Sequence, residues 1–204
     1  MPKLGMEPVR RKALVDAALS AIGDQGTLTV TMSDIARRAG VSPALAHHYF
    51  GSKEELLIAT IRSLLSDLRR DAIEALRAAP SPRARVSALI RVSFQAGQFA
   101  PETVAAWLAF YSQAQKSDSM RHLLVLYARR LHSNLVVSLA ALCPPEVARS
   151  IADGAAALID GLYLRRALAA APLSRERSIA LTEAYVDAAL ARAGIEMPAE
   201  GRDA

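Results

Sequence analysis

Apolar residues recur along this chain at intervals of three and four positions. Because an α-helix turns once in about 3.6 residues, this spacing predicts helices, whereas the alternation of β-branched residues that indicates strands does not persist anywhere. Besides one short helical hairpin, the pattern predicts seven helices whose ends are marked by Gly, Pro and short polar stretches. These helices cover residues 10–23, 53–79, 83–99, 102–115, 119–142, 145–170 and 175–193. The chain is therefore predicted to be all-α.

The helical hairpin is predicted over Thr31–Phe50, which reads TMSDIARRAGVSPALAHHYF. Thr31 is placed to cap its first helix, with Asp34 at the capping-box position, and a glycine ends that helix. Ser42 is a good N-cap for the second helix, and Pro43 fits its first position, where no amide hydrogen bond is lost. A short helix, a glycine turn and a second capped helix are the parts of a helix-turn-helix.

The second helix of this hairpin, here called the recognition helix, separates its residues by face. Ala46 and Phe50 are four positions apart and are expected to turn inward. The outward face begins with small residues and ends in imidazoles and a phenol, which can hydrogen-bond base edges or phosphates. Lys53 opens the next helix, where its ammonium and the helix dipole can both meet a phosphate. The alternative is an ordinary helical hairpin with a polar surface.

The run IARRAGVSPALAHHYFGSKEELL resembles the DNA-binding segment of TetR-type bacterial repressors, including the xxYFxxKxxL ending. Stretches in both halves resemble the branch of that family that controls genes converting choline to glycine betaine. They are MPKLGMEPVRRKALVDAALSAI, AWLAFY, RRLHSNLV and AALIDGLYLRRAL. The resemblance implies a helix-turn-helix DNA-binding domain of three helices at residues 1–52 and a helical ligand-binding and dimerisation domain at 53–194. Residues 195–204 are expected to be a flexible tail.

The resemblance also implies a palindromic double-stranded operator and a set of DNA-binding residues. The predicted set is Thr31, Ser42, Pro43, Ala44, Leu45, His47, His48, Tyr49 and Lys53. Of these, Pro43, Ala44 and His47 are implied to meet base edges, and Ser42, His48, Tyr49 and Lys53 to hold phosphates. Histidine and alanine replace residue types seen elsewhere in the family, so the operator sequence is not implied.

The last two long helices are unusually apolar and rich in small residues. Ala152–Leu164 is almost wholly apolar, and the last helix carries an apolar stripe. The stripe consists of Ile179, Thr182, Tyr185, Val186 and Ala189. A helical pair of this kind leaves a hydrophobic face on a monomer, and small residues permit close approach of helices, so we predict a two-fold dimer interface. TetR-type repressors dimerise through this pair; the alternative is an internal core.

The few aromatic residues are clustered, and one acid accompanies them. Trp107, Phe110 and Tyr111 share one helix, and Tyr163 follows Asp160 by three residues in an otherwise apolar run. Aromatic faces near a carboxylate can hold a quaternary ammonium by cation–π attraction and charge. These five residues are the predicted ligand-binding set, with Tyr127 and Phe94 as weaker candidates.

Two alternatives for the ligand residues stay open on sequence grounds. The aromatic residues can be ordinary core, and Asp160 can pair with Arg165, Arg166 or a partner subunit. The resemblance implies choline as the inducer and no cofactor. A different lipophilic or cationic small molecule, as in multidrug-type regulators, is the alternative effector, and a helical interaction protein that does not bind DNA is the alternative function.

Charge and composition narrow the function further. The chain carries a formal charge of +5, of which residues 1–53, with seven Lys/Arg and four Asp/Glu, supply +3. This surplus fits an anionic partner without proving one. Adjacent His47 and His48 diverge by about 100° on a helix and cannot share a metal, and the single Cys143 has no local acid–base partner. We therefore expect that the chain is not an enzyme and that it has no catalytic site, metal site or membrane segment. We also expect a cytoplasmic protein that associates with the nucleoid.

Overall fold

The computed structural model describes residues 6–168 and 173–195. Within these residues it contains nine helices and no strand, which confirms the all-α prediction for the described part of the chain. The helices are α1 (Met6–Gln25), α2 (Met32–Arg38), α3 (Pro43–Phe50), α4 (Lys53–Ala78), α5 (Pro82–Ser93), α6 (Pro101–Ala114), α7 (Asp118–Leu139), α8 (Pro145–Leu168) and α9 (Arg175–Arg192). The break predicted at Pro172, the end of a helix predicted at Ala170 and the tail beyond Ile195 lie outside the described residues.

The contacts of the chain define two compact units. The first takes in the chain up to Asp67 together with Ala100–Val125, and the second takes in Leu68–Phe99 and the chain from Leu126 onward. Helices α4 and α7 each contribute residues to both units. The domain boundary predicted after residue 52 stays a prediction.

The first unit is organised by α1. Leu14, Ala18 and Ile22 recur at intervals of four residues, which predicts one apolar face, and all three are completely buried. Helix α1 packs against α2 and α6, and Gly23 allows its backbone to approach the first turn of α6. A β-carbon built on Gly23 lies 2.6 Å from Cβ of Glu102 and 2.8 Å from its Cα, so this close approach requires glycine.

The second unit is built around the packing of α9 against α8 and α5. A half-buried ionic cluster joins α5 to α9, in which Arg83 lies 2.5 Å from Glu183 and 2.8 Å from Asp187. Burial acts to lower the pKa of Arg83, but the two carboxylates outweigh this effect and raise it. Between α8 and α9, Gly154 leaves room for the phenol of Tyr185, which a β-carbon at that position would meet.

Two helix boundaries differ from the prediction. Helix α1 already includes Met6, the first described residue, whereas the prediction began at Arg10; Pro8 is tolerated early in a helix, where a missing N–H costs no hydrogen bond. Helix α5 ends at Ser93 rather than Phe99. Carbonyl oxygens beyond its end accept hydrogen bonds from other helices. Arg175 donates to the carbonyl of Phe94 at 2.9 Å, and Arg166 donates to the carbonyl of Phe99 at 2.7 Å.

The apolar stripe predicted on α9 is only partly internal: Ile179, Tyr185 and Ala189 are half-buried in the single chain, and their place in a dimer surface stays a prediction. Thr182 and Val186 are completely buried within the single chain, so they belong to the core of the second unit. The exposed residues of these helices lie on other faces and include Leu164 and Leu168 on α8. Exposed alanines accompany them at Ala157, Ala180, Ala184 and Ala188.

Among the described residues, no helix is long and apolar enough to cross a membrane.

Candidate DNA interface and ligand residues

The first helix of the hairpin is capped as its sequence predicts. The hydroxyl oxygen of Thr31 accepts the N–H of Asp34 at 3.1 Å and donates its proton to the carboxylate of Asp34 at 2.6 Å. Hydrogen bonding from Thr31, mainly through its side chain, lowers the pKa of Asp34, and the charge of Arg37 assists. The hydroxyl of Thr31 therefore acts both as donor and acceptor within the cap, and its predicted contact with DNA stays a prediction.

The turn and the start of α3, the recognition helix, also follow the predicted pattern. Gly40 has a φ of 66°, in the region that favours glycine. The amide of Val41 donates to the carbonyl of Ala36 at 3.0 Å. Ser42 then accepts the N–H of Leu45 at 3.2 Å, and Pro43 occupies the first helical position. Side-chain caps thus satisfy backbone N–H groups at the start of both helices of the hairpin.

The outward face of α3 is the one that the sequence predicts. Ala46 is completely buried and Phe50 is 5% exposed, which anchors the inner face. The exposed members of the predicted DNA-binding set on this helix are Pro43, Ala44, His47 and His48, with Leu45 and Tyr49 half-buried beside them. Small residues followed by imidazoles are therefore available to an external partner.

One contact fixes the hydrogen-bonding character of His47. Its Nδ1 lies 3.0 Å from the carbonyl oxygen of Gly51, an atom that can only accept. Nδ1 must therefore carry the proton, so Nε2 of the neutral ring is an acceptor. In a major groove such an acceptor suits the exocyclic amine of adenine or cytosine.

The ammonium of Lys53 has a partner that the sequence did not predict. Its Nζ donates to the carbonyl oxygen of Leu28, in the connection between α1 and α2, at 3.2 Å. An ammonium has three donors, so this bond fixes the direction of the side chain and leaves donors for a phosphate. The predicted phosphate contact of Lys53 stays a prediction.

Several other basic residues of the first unit also have intramolecular partners. Arg11 donates to the carbonyl oxygen of Tyr49, Lys12 pairs with Asp16 at 2.6 Å, and Arg38 pairs with Asp24 at 2.5 Å. The sequence leaves the basic cluster of Arg10, Arg11 and Lys12 open to phosphates, an adjacent minor groove or solvent, and it does not predict the bond from Arg11. No local signal marks that bond, because its partners are 38 residues apart.

The predicted ligand residues of α6 belong to the first unit. Trp107 is 3% exposed and Phe110 is completely buried, whereas Tyr111 is 37% exposed. The rings of Trp107 and Tyr111 have centroids 6.0 Å apart and are inclined at 31°. Trp107 and Tyr111 thus form an aromatic pair with one accessible edge, while Phe110 lies in the core.

The predicted ligand residues of α8 belong to the second unit. Tyr163 donates its hydroxyl proton to the carbonyl of Ser93, and its ring lies 6.0 Å from that of Phe94 and 5.4 Å from that of Phe99. Asp160 is exposed. Burial raises the pKa of Tyr127, and the negative charge of Asp160 adds to this effect. The structure thus associates Asp160 with Tyr127, a candidate that sequence reasoning rated lower, and Tyr163 with Phe94.

Among the residues that the structure describes, no group of three or more His, Cys, Asp or Glu side chains could hold a metal ion.

Two families account for most of the chain. Residues 14–60 match the family described as bacterial regulatory proteins, tetR family. Residues 82–191 match the family described as BetI-type transcriptional repressor, C-terminal. The chain therefore belongs to the TetR family of DNA-binding transcriptional repressors, with a BetI-type C-terminal domain, and as a member of this family it is a regulator and not an enzyme.

Individual relatives narrow this assignment. A protein of Rhizobium meliloti (strain 1021) named HTH-type transcriptional regulator BetI is 74% identical over 93% of this chain and 94% of its own length. A crystal structure of a candidate transcriptional regulator from Pseudomonas aeruginosa PAO1 is 27% identical, with a TM-score of 0.78, and the match covers 90% of this chain and 91% of that one.

A second solved structure shares the fold at lower identity. It is a candidate transcriptional regulator from Saccharomonospora viridis, determined in complex with choline. It is 19% identical, with a TM-score of 0.77, and the match covers 86% of this chain and 94% of that one. At this identity the likeness establishes the common fold.

Proposed function

We propose that this chain is a dimeric repressor that releases a palindromic operator when choline binds its helical core, and that it controls genes converting choline to glycine betaine. The observation that carries the proposal is the 74% identity, across nearly the full length of both chains, with a relative named BetI. The identity extends over the BetI-type half at 82–191, which includes every predicted ligand residue. The site of action is the nucleoid, in the cytoplasm.

The chemistry of the predicted ligand residues suits choline. A quaternary ammonium has no N–H to donate and is held by aromatic faces, at about 2 kcal/mol for a desolvated contact. Trp107 and Tyr111 supply aromatic faces in the first unit, and Asp160 supplies a carboxylate in the second. A carboxylate attracts the cation and can accept the hydroxyl proton of choline. The choline complex of the Saccharomonospora viridis protein shows that a member of this fold takes such a ligand.

The proposal is tested by titrating choline into the chain bound to a duplex from upstream of its own gene. Coupling between sites typically amounts to about 1–3 kcal/mol, so choline should weaken binding by about 5- to 150-fold. Tetramethylammonium, which lacks the hydroxyl, and ethanolamine, which lacks the quaternary centre, are matched controls. Unchanged DNA affinity together with no calorimetric heat at saturating choline would reject the proposed choline response. A response only to lipophilic cations would establish the multidrug-type alternative.

The dimer is tested separately. The exposed alanines of α8 and α9 are the surface through which two chains would pack, with half-sites of the operator on one face of DNA. Substitution of Ala157 by arginine should convert the dimer to a monomer in light scattering. Ala78→Arg, at the exposed end of α4, is the control and should leave the mass unchanged. A monomeric wild-type chain would contradict the proposal directly.

A further inference from the structure

The recognition helix α3 depends on contacts made by its C-terminal end. It has eight residues, and a helix so short is unstable alone. Two of its last carbonyl oxygens are satisfied by nearby backbone: that of His47 accepts the N–H of Gly51, and that of Phe50 accepts the N–H of Ser52, both at 2.7 Å. The carbonyl of Tyr49 receives its bond from a different helix, since Arg11 of α1 donates to it.

The guanidinium of Arg11 makes a second contact with the same end of α3. Its central carbon lies 4.3 Å from the centroid of the Phe50 ring, a separation at which a cation is attracted to an aromatic face. Phe50 is 5% exposed, so the ring is a fixed platform. A positive charge is also favoured at a helix C-terminus by the helix dipole. One side chain thus combines a hydrogen bond, a cation–π contact and a dipole interaction.

We propose that Arg11 is a positioning residue for operator recognition: it holds the C-terminal end of α3 against α1 and is not a phosphate contact. That end carries His47 and Tyr49, two residues predicted to contact DNA. Arginine suits this task because its planar fork can donate to a carbonyl while its face covers a ring, which a lysine ammonium cannot do. The proposal assigns a role to the basic cluster at residues 10–12 that its charge alone does not suggest.

The salt dependence of DNA binding separates positioning from phosphate contact. Each phosphate neutralised contributes about 0.9 to the slope of log affinity against log salt. The test uses a duplex that the wild-type chain selects from random DNA. Arg11→Ala should weaken binding to this duplex by about 10-fold, because a charge-assisted hydrogen bond is lost. The slope should remain that of the wild type. Arg10→Ala removes the same charge one residue earlier and is the matched control for a general electrostatic effect.

Two further measurements report on the end of α3 itself. In Arg11→Ala, amide hydrogen exchange at residues 47–51 should accelerate, while exchange at the buried centre of α1 should not change. Arg11→Lys keeps the charge, and it should recover only part of the lost affinity because the planar contact with Phe50 is absent. If Arg11→Ala unfolds, Arg11→Lys still distinguishes the two roles. Lysine serves well as a phosphate contact, so full affinity in Arg11→Lys would indicate a phosphate contact, and partial affinity indicates positioning.

Three results would overturn the proposal. The first is a slope reduced by about 0.9 in Arg11→Ala. The second is full recovery of affinity in Arg11→Lys. The third is an Arg11→Ala chain that matches Arg10→Ala in affinity at every salt concentration. None of these results depends on choline, so the fate of this proposal and that of the choline response are distinguishable.

Discussion

At the scale of single residues, His47 is the recognition side chain whose chemistry is best defined. Because its Nδ1 donates to the carbonyl of Gly51, its Nε2 faces a partner as an acceptor. His47→Ala should relax the preference at the base pair it contacts, with a loss of about 1–3 kcal/mol of discrimination. Affinities measured on operator duplexes with every single base-pair change test this, and nitrogen NMR of the imidazole tests the tautomer.

Lys53→Ala serves as the contrasting variant for that experiment. It should weaken binding to all duplexes alike and lower the salt slope by about one, as loss of a phosphate contact does. If His47→Ala also weakened all duplexes equally, or if NMR placed the proton on Nε2, the assignment of His47 as a base reader through an acceptor would be wrong.

Residue roles were predictable from sequence where the interaction is local. The caps of Thr31 and Ser42 involve partners three residues away, and helical geometry alone specifies them. The bonds of Arg11 to Tyr49 and of Lys53 to Leu28 join residues 38 and 25 positions apart. Such contacts arise from tertiary packing, for which no local pattern exists.

At the scale of elements, the approach of α1 to α6 requires a glycine and makes a stability prediction. A β-carbon at Gly23 meets backbone and Cβ atoms of Glu102, which cannot rotate away. Gly23→Ala should therefore lower the free energy of unfolding by about 1–3 kcal/mol, as overpacking does, although alanine is the better helix former. Urea denaturation measures the change.

Gly97→Ala is the matched control for that prediction. Gly97 is exposed, has nothing within 4 Å of its built β-carbon and does not adopt a positive φ. Alanine at this position should leave the stability unchanged or raise it by up to about 1 kcal/mol. Equal effects of the two substitutions would show that α1 and α6 are not in close backbone contact.

Element boundaries show where sequence reasoning about helices ends. The end of α3 and the start of α4 were predictable from glycine and serine, but the end of α5 at Ser93 was not. Carbonyl groups at and beyond this end bond to Tyr163, Arg166 and Arg175, so distant side chains replace the helical hydrogen bonds. The burial of Thr182 and Val186 in the stripe of α9 was open for a similar reason: periodicity identifies an apolar face and not what covers it.

At the scale of the whole molecule, one continuous helix, α4, follows the recognition helix and ends shortly before the BetI-type match at residues 82–191. Helix α4 runs from Lys53 to Ala78, about 39 Å at 1.5 Å per residue. It carries Lys53, predicted to contact DNA, near its start, and Asp71, which accepts a hydrogen bond from Gln95 at 2.5 Å, in its later part. Because α4 is continuous, we expect it to be the element through which a ligand acts on Lys53.

The choline response should be separable from DNA binding by substitutions in either unit. Trp107 is 3% exposed, so truncation to alanine would open a cavity costing about 3–5 kcal/mol in the unit that holds α3. Trp107→Phe retains an aromatic face and should weaken the response while leaving affinity for DNA alone unchanged. Melting temperatures with and without choline provide the measurement, since a ligand that binds only the folded state raises its stability by RT ln(1 + L/Kd), where L is the concentration of free ligand.

Asp160→Asn tests the charge in the second unit, and the measurement is release of the operator as choline is titrated. Loss of an ionic hydrogen bond should raise the choline concentration needed for operator release about 10-fold or more. Asp153→Asn is the charge-matched control, because Asp153 is an exposed acid on the same helix, 3.0 Å from His132. Since both variants remove one negative charge from α8, a general electrostatic effect would change the choline concentration for operator release equally in the two. An Asp160→Asn chain that matches Asp153→Asn at every choline concentration would remove Asp160 from the ligand site.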